Sequence, residues 1–170
     1  MTQEVRCRTS PSLALVKYWG KKDIRKNLPA TPSLAVTLGG VQTETRVRIA
    51  DKDEVRLNGE TVALERYAPL FDAMRRAADR KVYFQVESRN DFPSSAGLAS
   101  SSSGFAALTV ACDRILGLGL LPAQLSAFAR RGSASAARSL FGGFTLLPAG
   151  GFAAQQLYGP DYWPELRIVI

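Results

Sequence analysis

A chain of 170 residues, 46% apolar and 22% charged, is long enough to bury a core of its own and does not have the composition of a disordered segment. It has no histidine, which excludes Ser-His-Asp and Cys-His catalysis, HExxH zinc hydrolysis and every histidine-ligated metal. Its only cysteines, Cys7 and Cys112, exclude a disulfide scaffold or cysteine-rich zinc site and fit a reducing compartment. The net charge of +7 favours an anionic partner, whether nucleic acid, a membrane surface or a phosphorylated small molecule.

The opening MTQEVRCRTS has no apolar h-region, so no signal peptide is expected. No stretch reaches the ~18 apolar residues that a membrane helix needs, and the expected location is cytoplasmic. Val5, Cys7 and Thr9 alternate with Arg6 and Arg8, which predicts a short strand. Val41 to Ile49 alternates in the same way and predicts a second. Val55–Leu57 and Thr61–Leu64 flank Asn58-Gly59, a hairpin signal because both residues tolerate positive φ. Tyr67, Leu70, Phe71, Met74, Ala77 and Ala78 recur at helical spacing and predict a helix over 64–79. Val82, Phe84 and Val86 alternate as a further strand. A small-residue loop then runs from Pro93 to Gly104, followed by Phe105, Leu108, Cys112, Ile115 and Leu116 at helical spacing. Pro122 opens another helix. Gly142-Gly143 turns into a strand at 144–147, and Leu166 to Ile170 reads as a buried strand. A chain ending in mid-strand is expected to be the front part of something longer. Strands first and helices after them give an α+β class.

Three segments carry chemistry. In Pro93–Gly104, Gly97 permits a tight turn, and Leu98, Ala99 and the serines Ser100 to Ser103 keep the loop side chains mostly short. The helix that follows points its free N–H groups and the positive end of its dipole at that loop, which suits phosphate. A serine-rich linker or an ordinary helix cap has the same composition, but the strand before and the apolar stripe after favour phosphate binding. No Walker A or GxGxxG motif is present. Lys17-Tyr18-Trp19-Gly20-Lys21 sets two lysines and two aromatics around a glycine, as an anion-binding turn or as a solvated one. Ser133, Ser135 and Arg138 form the third segment, and Arg138 suits a bidentate grip on phosphate or carboxylate. The basic residues form no long run, which disfavours nucleic acid.

The loop Pro93-Ser-Ser-Ala-Gly-Leu-Ala-Ser-Ser resembles the phosphate loop of the GHMP kinase superfamily. Lys17-Tyr-Trp-Gly-Lys21 and Arg130-Arg-Gly-Ser-Ala-Ser-Ala-Ala-Arg138-Ser-Leu-Phe-Gly-Gly-Phe144 together resemble the diphosphomevalonate decarboxylases within it. The resemblance implies a GHMP-kinase N-terminal domain, an architecture shared with a ribosomal-protein domain. Residues 1–170 would form an ATP- and substrate-binding domain that stops before a C-terminal domain. It implies ATP-dependent decarboxylation of 5-diphosphomevalonate to isopentenyl diphosphate, with ATP and Mg²⁺ as cofactors and a homodimer as the assembly.

Carried onto this sequence, the resemblance puts Lys17, Tyr18, Trp19, Gly20, Lys21 and Arg66 at the substrate. Ser133, Ala134, Ser135, Ala136, Ala137 and Arg138 join them, with the serines toward the diphosphate and Arg138 toward the carboxylate. Gly97, Leu98, Ala99, Ser100, Ser101 and Ser102 would cradle ATP, with Ser101 near Mg²⁺. Ala134 stands where the family commonly has glycine, and Ala137 where it has cysteine. An alanine resists positive φ, which puts the diphosphate site in question. The family aspartate that acts on the 3-hydroxyl lies beyond Ile170, so no catalytic base is assigned and the chain alone is expected not to turn over. Two alternatives remain open: a sibling enzyme acting on mevalonate or its monophosphate, and a nucleic-acid-binding α+β module.

Overall fold

A computed structural model describes residues 4–93 and 98–169. Among these, the strands are β1 (Glu4–Thr9), β2 (Ser12–Val16), β3 (Lys21–Asp23), β4 (Leu28–Pro29), β5 (Ser33–Thr37), β6 (Thr43–Ala50), β7 (Glu54–Leu57), β8 (Glu60–Thr61), β9 (Tyr83–Asn90), β10 (Phe144–Leu147) and β11 (Gln155–Tyr158). The helices are α1 (Ala68–Ala78), α2 (Ser100–Leu116) and α3 (Pro122–Gly132), with 3₁₀ turns at Ala134–Ala137 and Pro160–Tyr162. The α+β expectation holds.

The first sheet has the order β1-β6-β9-β7-β8, antiparallel except for the parallel β7–β9 pair. Alternation divides its two faces. Cys7, Val47, Val55, Phe84 and Val86 turn inward onto α1 and α2. Outward, Arg8 stands opposite Glu44 and Glu4 opposite Arg48, and ion pairs join them. Glu44 also holds Arg46, Glu4 holds Arg6, and Glu54 holds Arg56. The Asn58-Gly59 hairpin forms as expected, with φ of 51° and 92°.

The α2 helix is the spine of the core. Twelve of its side chains, from Ser102 to Leu116, are buried, and it packs on β1, β6, α1 and α3. Gly117, at φ 69°, ends it. The α1 helix is shorter than the predicted 64–79. Its apolar spacing extends upstream, but Leu64–Ala68 forms a separate turn, with the Tyr67 and Ala68 N–H groups donating to the Leu64 carbonyl, and Pro69 sits in the first helical turn.

The second sheet, β11-β10-β5-β2, was not anticipated beyond β10. Its inner face carries Ser12, Ser33, Ala35, Thr145 and Leu147, all buried. Its other face carries the row Tyr158–Phe144–Val36–Leu13 and, beside it, Leu146–Leu34–Val16. Both edge strands are short, and each pairs through a register shift, between Phe144 and Thr145 on one side and between Ala14 and Val16 on the other. The predicted strand at 166–170 does not form over 166–169, and Ile170 lies outside the described residues. This segment lies against the face of the second sheet, where Leu166, Arg167 and Ile168 line a cleft of about 520 Å³ with Val36 and Phe144. A backbone lying on a face has no strand edge to pair with.

The ionic outer face of the first sheet makes stability pH-dependent. Arg6 and Arg48 hold the Glu4 carboxyl, and Arg8 and Arg46 the Glu44 carboxyl, below its ordinary value of 4.5. Both groups titrate lower folded than unfolded. Their stabilisation is therefore full above the unfolded value and is lost as pH falls from there through the lowered folded value. Urea midpoints should drop between pH 5 and pH 3, and the Glu4→Gln/Glu44→Gln double variant should show a shallower drop.

Candidate functional site

The segment after β2 leaves the sheet and returns as the β3–β4 hairpin. Gly20, at φ 68°, makes the turn, and its carbonyl accepts from the Ala30 N–H at 3.2 Å. Across from this hairpin, α3 ends at Gly132, and Ser133 leads into the 3₁₀ turn. Between them lies an open groove of about 310 Å³. Its walls include Tyr18 and Lys21 from the first segment, Arg66 from the turn before α1, and Ser133 and Ala134 from the third. Three sequence-distant segments of the expected substrate set therefore meet at one place.

Other members of that set lie elsewhere. Lys17 is exposed beyond β2, and Trp19 is 74% exposed with its N–H donating to Thr31 Oγ1 at 2.8 Å; neither lines the groove. Ser135 Oγ is 2.9 Å from Ser133 Oγ. Ala136 and Ala137 turn their methyls into the core. Arg138 is also buried, and donates from Nη1 to the Ser33 hydroxyl, while its Nε meets no partner among the described residues. Burial pulls its guanidinium below the usual arginine range, with Tyr18 nearby opposing the shift. Ala134 does not take positive φ. It opens the 3₁₀ turn and packs its methyl with Ala137, Leu147 and Tyr18, so the alanine in place of the family glycine fits here without backbone strain.

The second expected site is the N-terminus of α2. Gly97 lies outside the described residues. Leu98 is buried against Leu38 and Phe92, and Ala99 is exposed. No side chain caps the helix. Within its first turn the Ser100 N–H donates to the Leu98 carbonyl at 2.6 Å and the Ser102 N–H to the Ala99 carbonyl at 2.7 Å, so an anion there would meet the positive end of the helix dipole and the serine hydroxyls more than free amides. The serine run divides by role. Ser102 is fully buried: its hydroxyl donates to the Ala99 carbonyl at 2.7 Å and accepts from the Ser12 N–H at 3.3 Å. Ser103 bonds to Thr43 Oγ1 at 2.6 Å. Those two hydroxyls tie α2 to the sheets. Ser100 and Ser101 instead stand with Arg66 at a slot of about 90 Å³ whose other walls are mostly core side chains, among them Val55, Val86, Phe105 and Leu108. Ser102, expected among the ATP contacts, is thus committed to the fold.

Arg66 borders both the slot and the groove. Its guanidinium lies 5.4 Å from the centre of the Phe105 ring, and Tyr67 tilts onto the same ring at 4.9 Å. Gly132 touches that ring from α3, where an added Cβ would fall 2.1 Å from Phe105 Cδ1. As for Mg²⁺, no cluster of three or more acidic or cysteine side chains occurs among the described residues. The fit available is the Ser101 hydroxyl beside phosphate oxygens.

The family model for the diphosphomevalonate decarboxylase-like N-terminal domain matches residues 9–157. The chain belongs to this family. It is 36% identical over 185 residues to the diphosphomevalonate decarboxylase of Schizosaccharomyces pombe, covering 94% of this chain and 47% of that one. The mevalonate diphosphate decarboxylase from Enterococcus faecalis, in a structure described by its mevalonate diphosphate mediated ATP binding, superposes with a TM-score of 0.84 at 37% identity, over 93% of this chain and 52% of that chain. Another solved structure, described as a complex with MVAPP, AMPPCP and magnesium, gives a TM-score of 0.84 at 38% identity over 93% and 51%. The chain spans about half the length of the curated relatives it matches. Within the decarboxylase-like family domain, sequence reasoning missed the groove residues Ile24, Arg25, Asn27, Glu65 and Arg131. For Arg25 and Arg131, the clustering of basic residues was the available signal.

Gly132→Ala forces the Phe105 ring to move. The expected loss is about 1–3 kcal/mol in urea unfolding, typical of overpacking, together with a weakening of any anion binding that depends on Arg66.

Proposed function

We propose that this chain is the N-terminal, ATP- and substrate-binding part of a cytoplasmic diphosphomevalonate decarboxylase. The observation that carries the reading is the shared position of Arg66, which borders both the basic groove and the slot at the start of α2. A diphosphate tail in the groove and ATP phosphates over Ser100 and Ser101 at the mouth of the slot would lie near one guanidinium, which would bring the 3-hydroxyl of the first substrate within reach of the terminal phosphate of the second. The family membership and the likeness to a complex described with MVAPP, AMPPCP and magnesium support the same substrates. Two buried free cysteines, Cys7 and Cys112, agree with a reducing compartment. No helix among the described residues is long and apolar enough to cross a membrane.

In this reading the diphosphate tail lies in the groove against Lys21, Arg66 and the Ser133 hydroxyl. Cations brought together from separate segments hold such an anion through charge-assisted hydrogen bonds. Arg138 does not line the groove; it is buried near Tyr18, which does, and in this reading its unpartnered Nε meets the substrate carboxylate. A guanidinium buried without a carboxylate of its own is costly, and an incoming anion relieves that cost. The Ser100 and Ser101 hydroxyls, at the positive end of the α2 dipole, hold the nucleotide phosphates. MgATP, when bound, supplies the phosphoryl group for the 3-hydroxyl. Loss of that phosphate and of CO₂ then forms the double bond. The carboxylate that would take the 3-hydroxyl proton is assigned to the further part of the enzyme, outside these 170 residues.

Titration calorimetry on the chain should show binding of both MgATP and 5-diphosphomevalonate, and a coupled ADP-release assay should show no turnover. Clear turnover would overturn the division of labour, and absence of heat with either ligand would overturn the reading itself. Arg138→Gln should weaken 5-diphosphomevalonate at least tenfold, the scale of a lost charged hydrogen bond, and leave MgATP unchanged.

A further inference from the structure

Arginines on the outer face of the first sheet are ordinarily neutralised. Arg6, Arg8, Arg46, Arg48 and Arg56 each hold a glutamate. The groove breaks that pattern. Lys21, Arg25, Arg66 and Arg131 all line it, and none of the four forms a salt bridge among the described residues. The one carboxylate in the wall, Glu65, pairs with none of them. The wall thus carries a net charge of +3 with no internal partner.

Arg25 and Arg131 come from opposite sides, and the fold fixes them relative to each other. The tip of the β3–β4 hairpin is closed by the Lys26 N–H donating to Asp23 Oδ1 at 2.9 Å and by Asn27 at φ 53°. Asn27 Nδ2 then donates to the Arg130 carbonyl at 2.6 Å, which joins the hairpin tip to the last turn of α3 beside Arg131. Arg130 itself is almost fully buried, donates from Nε to the Phe152 carbonyl at 2.8 Å, and anchors that turn.

We propose that Arg25 and Arg131 are specificity-determining residues that grip the terminal phosphoryl group of a diphosphate tail, so that the groove distinguishes a diphosphate from a monophosphate. This rests on the functional reading above. A phosphomonoester carries about −1.5 to −2 at neutral pH, which Lys21 and Arg66 can match by themselves. The additional phosphoryl group is what the other two cations are available for.

The test is titration calorimetry at low salt with 5-diphosphomevalonate and with its 5-monophosphate. Arg25→Gln and Arg131→Gln should each weaken the diphosphate about tenfold and the monophosphate less than twofold. Arg25→Lys should recover part of the loss. Arg80→Gln makes the same charge change beyond the opposite end of α1 and should alter neither ligand. Equal losses for the two ligands, or no loss in either glutamine variant, would overturn the proposal while leaving the functional reading intact. If the unsubstituted chain binds neither ligand, the functional reading fails and takes this proposal with it. Thermal unfolding of each exposed-arginine variant should match the parent, which separates a binding loss from a folding loss.

Discussion

The ring of Phe105 fixes three segments that are far apart in sequence: Tyr67 and Arg66 ahead of α1, the first turns of α2, and Gly132 at the end of α3. An aromatic face gives apolar area to Tyr67 and a favourable quadrupole to the guanidinium. The absent side chain at Gly132 lets α3 come within contact of the same ring. The groove and the slot lie on either side of this joint, so their spacing is set by side-chain packing more than by loop conformation.

The helix that carries Phe105 is held by a different chemistry at its start. Ser102 and Ser103 anchor α2 to β2 and β6 through buried hydroxyls, and Thr9 donates to the Ser103 carbonyl at 2.6 Å. Buried polar groups that are fully paired specify one arrangement. The first turn of the helix is thereby aimed, while the two serines before them stay available to a ligand. A single run of four like residues is thus divided between the fold and the candidate site.

Much of this could be read from sequence, and the misses have physical reasons. The first sheet was legible because one face is ionic and the other apolar, which writes a period of two into β1, β6 and β9. The second sheet was not, because in Ser12–Val16 and Ser33–Thr37 small residues alternate with larger apolar ones and it is the small set, Ser12, Ser33 and Ala35, that faces inward, so neither segment shows the apolar-in, charged-out pattern of the first sheet. The extra helical turn predicted at 64–67 came from apolar spacing that continues through a separate turn. At the site, the motifs located the groove, but they could not separate Ser102 from Ser101, or show Arg138 turned inward onto Ser33. Those distinctions depend on which neighbours arrive from elsewhere in the chain. Arg25 was visible only as one cation among many until the hairpin placed it.

The edges of the second sheet have a consequence of their own. A strand edge is a template on which another chain can add backbone hydrogen bonds, and long flat edges seed fibrils. Here β11 and β2 are short, and each meets its neighbour through a register shift that breaks the regular ladder. The sheet therefore offers an incoming strand no straight run of donors and acceptors. A protein with apolar residues on both faces of this sheet is protected from open-ended stacking by the irregularity of its borders.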